Sequence, residues 1–163
     1  DAKPNAAHAA LAKLEAQGKL TAVVTQNIDG LHQLAGSKNV YELHGSIHRN
    51  HCMRCNRFFD AEYVKNHSGI PYCPCGGMIK PDVVLYEESL DPDVLAGAVA
   101  HISRADMLIV GGTSLQVYPA AGLINYYSGN KLVLINKTVT PYDSYANLVI
   151  NDSIGKVLSA AVE

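Results

Sequence analysis

Apolar residues recur at helical spacing between positions 5 and 17, where Ala7, Ala10, Leu11 and Leu14 share one face, with Pro4 and Asn5 near the start and Gly18 just past the end. The pattern predicts an amphipathic helix. A short apolar run, Leu20, Ala22, Val23 and Val24, follows at once and stops in Thr25-Gln26-Asn27-Ile28-Asp29-Gly30-Leu31-His32. A buried strand that ends in polar side chains is how an open α/β sheet presents groups to a ligand, because ligands bind outside the carboxyl ends of its strands. The competing reading is a plain turn, since Asn, Asp and Gly satisfy turns locally.

The periodicity fades between Ile47 and Lys80, where Cys, His, Arg, Asn and Gly accumulate, and a small inserted module is expected there. Pro81 to Glu88 reads as an extended apolar segment ending in two acids, and a helical pattern resumes from about Pro92 to Ser103. Met107 to Val110 is a short, wholly apolar run, as expected of a central parallel strand buried on both faces. Pro119 to Tyr127 reads as a helix with Pro in its first turn, Lys131 to Ile135 as a further buried strand, Leu148 to Ile150 as a last short strand and Ile154 to Val162 as a terminal helix. Strands near 20, 107, 132 and 148 separated by helices predict an α/β fold, a doubly wound parallel sheet. The expected division is a Rossmann-like domain over 1–46 and 81–163, with a small Cys- and His-rich module inserted at 47–80.

Composition narrows the class of protein. With 163 residues, the chain has room for one ordinary domain with a core and a small satellite. It is 48% hydrophobic and 17% charged, and no apolar run approaches the ~20 residues that span a bilayer. No membrane span is therefore expected. A net charge of -2 supplies no general basic field, so direct nucleic-acid binding is not expected either. Asp1-Ala2-Lys3-Pro4 shows neither a charged n-region nor an apolar h-region, and the expected location is the cytoplasm.

All four cysteines fall in one stretch: Cys52-x2-Cys55, seventeen residues, then Cys73-Pro74-Cys75. Two close pairs at that separation suit tetrahedral zinc, each pair forming one arm. The second pair has one intervening residue where the usual ribbon has two, so that arm must turn more tightly, beside Gly76-Gly77. Free or disulfide-bonded cysteine is the alternative, less suited to a cytosolic chain. His48, His51 and His67 stand near enough in sequence to substitute for a ligand, although four sulfurs fill a tetrahedron and leave no place for water. The metal would then be structural.

Gly111-Gly112-Thr113-Ser114 directly after a buried strand allows the backbone to approach a phosphate and offers hydroxyl donors. Asn136-Lys137 ends the next strand and suits a ribose hydrogen bond. Two adjacent polar strand ends point to a nucleotide site. His44, in Leu43-His44-Gly45-Ser46, is the candidate general base, because an imidazole titrates near neutrality; a satisfied structural histidine is the plainer alternative.

Taken together and in this order, Thr25 to His32, Leu43-His44-Gly45, the two cysteine pairs, Lys80-Pro81-Asp82-Val83-Val84-Leu85-Tyr86, Gly112-Thr113-Ser114-Leu115 with Val117 and Pro119, and Ile135-Asn136-Lys137 resemble the sirtuins, NAD-dependent protein-lysine deacylases, in a bacterial-type form. The resemblance implies that Asn27 and Asp29 hold the nicotinamide amide, with Gln26 and Ile28 shaping the site around the ribose. It implies that Gly112, Thr113 and Ser114 contact the phosphate and ribose region, that Asn136 and Lys137 meet the adenosine ribose, and that Ile154 meets the adenine. Val84, Leu85 and Tyr86, facing Gln116 and Val117, would hold an acylated-lysine peptide as an added strand. Asn27 and His44 would be catalytic, His44 as general base on a ribose hydroxyl, and the products would be free lysine, nicotinamide and O-acyl-ADP-ribose. Zinc on Cys52, Cys55, Cys73 and Cys75 would stand apart from this chemistry.

Sirtuins open with a strand and a Gly-Ala-Gly-Ile-Ser loop upstream of the helix that here begins near Asn5, and these 163 residues do not include them. The expectation is that the sequence represents the C-terminal two thirds of a longer enzyme. The other readings are a noncatalytic zinc-stabilised module that binds acyl-lysine or nucleotide, and a protein ADP-ribosyltransferase.

Overall fold

The structure is a computed structural model that describes residues 2–162. In chain order its elements are α1 (Ala6–Ala16), β1 (Val23–Thr25), α2 (Leu31–Leu34), β2 (Val40–Glu42), β3 (Gly45–Cys52), β4 (Phe58–Asp60) and α3 (Ala61–Lys65). They continue with β5 (Ile79–Val83), α4 (Pro92–Arg104), β6 (Leu108–Gly111), β7 (Leu132–Ile135), β8 (Leu148–Ile150) and α5 (Ile154–Ala161). Packing divides the chain into two compact units, one of Asp1–Val24, Leu31–Tyr41 and Pro92–Glu163, the other of Thr25–Gly30 and Glu42–Asp91.

In the first unit, β6, β7 and β8 form a three-stranded parallel sheet in that order. Val, Ile and Leu fill it, but only β7 is central and largely buried; the run 107–110 forms the edge strand β6, with Met107 and Ile109 exposed, so the expectation of a central strand buried on both faces holds for β7 instead. Ala7 and Ala10 of α1 and Leu158 of α5 pack with Ile135 on one core, while Leu115, Ile124, Leu132 and Leu134 form a second. Each large aliphatic side chain buried in this way contributes on the order of 2 kcal/mol. α1 starts at a reciprocal cap: the Asn5 side chain accepts the N–H groups of Ala7 and His8, and His8 Nδ1 accepts the N–H of Asn5.

Three further features depart from the pattern read along the chain. The run from Leu20 enters its strand only at Val23, because the N–H groups of Lys19 and Leu20 both turn back to the Leu14 carbonyl and close α1. β1 then pairs with β2 rather than with β6 to β8, and the two bonds Val23 N–H to Asn39 O and Leu43 N–H to Thr25 O advance together along both strands, as in a parallel pair. The segment after Pro119 is a 3-10 helix, Ala120–Tyr126. Gly, Ile, Asn and Tyr are weak α-helix formers, and burial of Ala120, Ala121, Leu123 and Ile124 holds the tighter coil.

The second unit is built on an antiparallel sheet in the order β4-β3-β5. β3 and β5 pair at Gly45↔Val83 and Ser46↔Asp82, then again at Asn50↔Pro81, so positions 47–49 of β3 bulge out against β5. Cys52, Phe59, Cys73 and Ile79 are buried together, with Tyr63 and Val64 of α3 against them. Among the described residues no helix is long and apolar enough to cross a membrane.

Candidate functional site

The four cysteine sulfurs all lie within 4.8 Å of one another. Cys52 Sγ is 3.5 Å from Cys75 Sγ, and Cys55 Sγ is 3.6 Å from Cys73 Sγ. A tetrahedral zinc with sulfur at about 2.3 Å requires sulfur pairs about 3.8 Å apart, so the cluster fits that ion closely. The tight second arm closes through the N–H of Cys73 on Gly77 O and the N–H of Gly76 on Cys73 O, both at 2.8 Å. Proton affinity is unevenly spread among the thiols. Burial would raise Cys52, but the N–H groups of Cys55 and Arg54 outweigh it and bring the thiol down to about 6. Cys73 takes an N–H from Cys75 that favours its thiolate, yet burial and the neighbouring sulfurs push it up to about 12. A divalent cation supplies the charge that lets all four stand as thiolates. The nearby histidines are engaged elsewhere: His48 on Asp29 O, His51 on Asp82 and His67 on Tyr63 O.

The polar turn after β1 belongs to the same unit. The Asn27 N–H is held by Thr25 Oγ1 at 3.1 Å, and its side-chain amide reaches toward Asp29 Oδ2 at 3.5 Å. Asn27 is exposed and Asp29 half-buried. His44 stands beside this turn. Its Nδ1 lies 2.9 Å from the Gln26 carbonyl oxygen, which can only accept, so Nδ1 carries a proton and in the neutral ring the lone pair sits on Nε2. The His44 carbonyl in turn accepts the N–H of Val84 at 3.0 Å, joining the base to the segment 84–86. In that segment Leu85 N–H is held by Glu88 at 2.9 Å, and Tyr86 is fully exposed. The same Leu85 bond, and then Lys80, hold the Glu88 carboxyl below the usual carboxylate range.

Gly45 explains how His44 and Val84 come so close. Its φ of +78° is left-handed, and a Cβ there would sit 1.8 Å from the Asp82 carbonyl oxygen. Beyond it, the Glu42 carboxylate, almost fully buried, pairs with Arg49 at 2.7 Å. Arg49 stands 4.0 Å from Asp82, whose other oxygen meets His51 at 2.8 Å.

The remaining predicted residues lie in the parallel sheet of the first unit. Register places Gly111 against Ile135, and the Gly112 N–H donates to Ile135 O at 3.2 Å, so Gly112-Thr113-Ser114 and Asn136-Lys137 leave adjacent strand ends. Ile154 starts α5 at the same end, with its Cδ1 where a Cβ on Gly111 would come within 2.4 Å. Gln116 and Val117 are exposed beyond Leu115. The second unit thus gathers Gln26 to Asp29, His44 and Val84 to Tyr86, and the first gathers Gly112 to Ser114, Asn136, Lys137 and Ile154. Sequence reasoning missed the roles of Glu42, Arg49 and His48, whose partners are set by the bulge in β3; a charged pair and an extra histidine near a strand end were the only signal.

These features define a class: a parallel-sheet α/β protein with polar strand ends and a four-cysteine metal centre. The model of the Sir2 family matches residues 1–119. An NAD-dependent protein deacetylase of Clostridium acetobutylicum is 70% identical over 99% of this chain and 67% of its own length. One from Clostridium tetani is 65% identical over 99% of this chain and 66% of its own length. Among solved structures, a Sir2 with p53 peptide and NAD+ superposes with a TM-score of 0.91 at 44% identity, covering 98% of this chain and 69% of that one. A Sir2 complex with the inhibitor EX-527, 2'-O-acetyl-ADP-ribose and deacetylated p53 peptide gives 0.92 at 45% identity, covering 99% and 71%. The chain belongs to the Sir2 family, the sirtuins. It spans about two thirds of the length of the curated relatives it matches.

Proposed function

We infer that this chain carries out NAD-dependent removal of acetyl groups from protein lysines, releasing nicotinamide and O-acetyl-ADP-ribose. The observation that carries the reading is His44: its donated Nδ1 proton and free Nε2 are what a general base on a ribose hydroxyl requires. Relatives at 70% and 65% identity named NAD-dependent protein deacetylases support the reaction, as do Sir2 structures holding NAD+ and an acetyl-ADP-ribose. NAD when bound supplies the reactive ribose carbon and the acceptor for the acyl group.

The chain's own residues divide the work. Asn27 and Asp29 hold the nicotinamide amide, with Gln26 and Ile28 around the ribose. Gly112, Thr113 and Ser114 take the phosphate and ribose region, Asn136 and Lys137 the adenosine ribose, and Ile154 the adenine. His44 accepts the hydroxyl proton at Nε2 while Gln26 O keeps the ring in place. Val84, Leu85 and Tyr86, with Gln116 and Val117, receive the acetyl-lysine peptide through main-chain bonds, which read little of its sequence. Cys52, Cys55, Cys73 and Cys75 bind zinc as a closed structural centre within a module at 47–80, and the Rossmann-like domain is assigned to 1–46 and 81–163, of which 25–30, 42–46 and 81–91 belong to the same compact unit as the module. The cytoplasm, where thiols stay reduced, suits this centre.

The test is mass-spectrometric assay of an acetyl-lysine peptide with and without NAD, using the chain as given and extended upstream to the length of its relatives. NAD-dependent free lysine with O-acetyl-ADP-ribose from either form upholds the reading. Nicotinamide release with ADP-ribose left on protein, or no release from either form, overturns it.

A further inference from the structure

Three carbonyls of one short turn are taken in succession by His44 and the start of β3. Gln26 O accepts from the His44 ring at 2.9 Å, Ile28 O from the Ile47 N–H at 3.1 Å, and Asp29 O from the His48 ring at 2.9 Å. Ile47 and His48 make these bonds because the bulge at 47–49 frees them from pairing with β5. Asp29 O can only accept, so His48 Nε2 carries the proton in this contact. Gly30 completes the seat: a Cβ there would lie 2.8 Å from His48 Cδ2, so only a glycine lets the imidazole lie against the backbone, and its φ of +68° is left-handed as well. The bulge is itself fastened, with Asn50, 1% exposed, donating to Ile47 O and the His48 N–H held by Ser46 Oγ.

We propose that His48 is a positioning residue for nicotinamide: its ring fixes the Asn27 to Gly30 turn so that the Asn27 amide and Asp29 carboxylate meet the nicotinamide amide already oriented. This rests on the assignment of Asn27 and Asp29 to the nicotinamide. The ring itself is exposed and touches the backbone of the turn, so it acts through its neighbours and its replacement leaves the core intact. An imidazolium would still donate from Nε2, so the role is independent of the protonation of His48.

The test compares His48→Phe, which keeps a flat ring and removes the donor, with His48→Gln, whose side-chain amide restores one. Binding of NAD, of ADP-ribose and of an acetyl-lysine peptide is measured by calorimetry on the protein at its relatives' full length, and amide hydrogen exchange is followed over residues 26–30. In His48→Phe the Kd for NAD rises about three- to tenfold, the range one hydrogen bond supports, while that for ADP-ribose, which lacks nicotinamide, and that for peptide stay within about twofold. Exchange across the turn quickens, and His48→Gln restores both. Asn27→Ala and Asp29→Ala separate the two ideas. If they weaken NAD and His48→Phe does not, or if His48→Phe weakens ADP-ribose and peptide equally, the positioning role is overturned. If neither alanine variant weakens NAD, the nicotinamide assignment fails and the proposal falls with it.

Discussion

The Nδ1 atom of His44 donates to the carbonyl oxygen of Gln26 across 2.9 Å, and this one bond decides which face of the imidazole is basic. Replacement of His44 by alanine is expected to lower deacetylation by about a hundred- to ten-thousandfold, the span of a lost general base. Zinc content and melting temperature should stay as in the parent, since the half-buried ring is no part of the core. Steady-state kinetics with metal analysis checks both, and surviving turnover would show that the base lies elsewhere.

Gly45 admits no side chain. A methyl group would meet the Asp82 carbonyl oxygen at 1.8 Å from a backbone already at φ +78°. Gly45→Ala is expected to cost on the order of 3 kcal/mol, seen as a melting temperature lower by roughly 10 °C. Thermal unfolding followed by circular dichroism measures it, and a shift under about 2 °C would mean that β3 and β5 part easily there.

The sulfur cluster sets a third expectation. Cys52→Ala leaves three ligands around one ion, and removal of zinc by a strong chelator leaves Cys73, with its thiol at about 12, protonated at neutral pH. Either change should lower the melting temperature by about 10 °C or more, because metal affinity at such a centre is folding free energy. One zinc per chain by elemental analysis is the companion result, and an unchanged melting curve after chelation would exclude a structural role.

Glu42 and Arg49 form a pair of unequal burial, with side-chain exposures of 7% and 47%. Arg49→Ala strands the buried carboxylate and is expected to cost about 2 kcal/mol, below the figure for a fully buried pair because the guanidinium is half in water. Adding Glu42→Gln should recover part of that loss. A double-mutant cycle in urea gives the coupling, and strict additivity would show that the pair contributes nothing.

Where sequence reading succeeded, the signal was local. α1 has its cap and its apolar face within thirteen residues, and β6 to β8 are runs of Leu, Ile and Val, closed in β6 by Gly111. β2 is three residues long, too short to show alternation, and so its pairing with β1 was not legible. The segment after Pro119 carried helical spacing, but weak helix formers left packing to settle it as a 3-10 coil.

The cysteine pairs, the polar strand ends and the His44-Gly45 step are properties of the chain itself, because a metal arm, a strand terminus and a left-handed glycine each need only a few neighbouring residues. Tertiary structure alone decided which carbonyls His44 and His48 hold, 18 and 19 residues away, and that His51 meets Asp82 across 31. Those partners follow from the register of β3 on β5 and from the bulge at 47–49. Shifting a strand by one residue turns every side chain to its other face, and register is fixed by the packing of the whole sheet rather than by any short stretch.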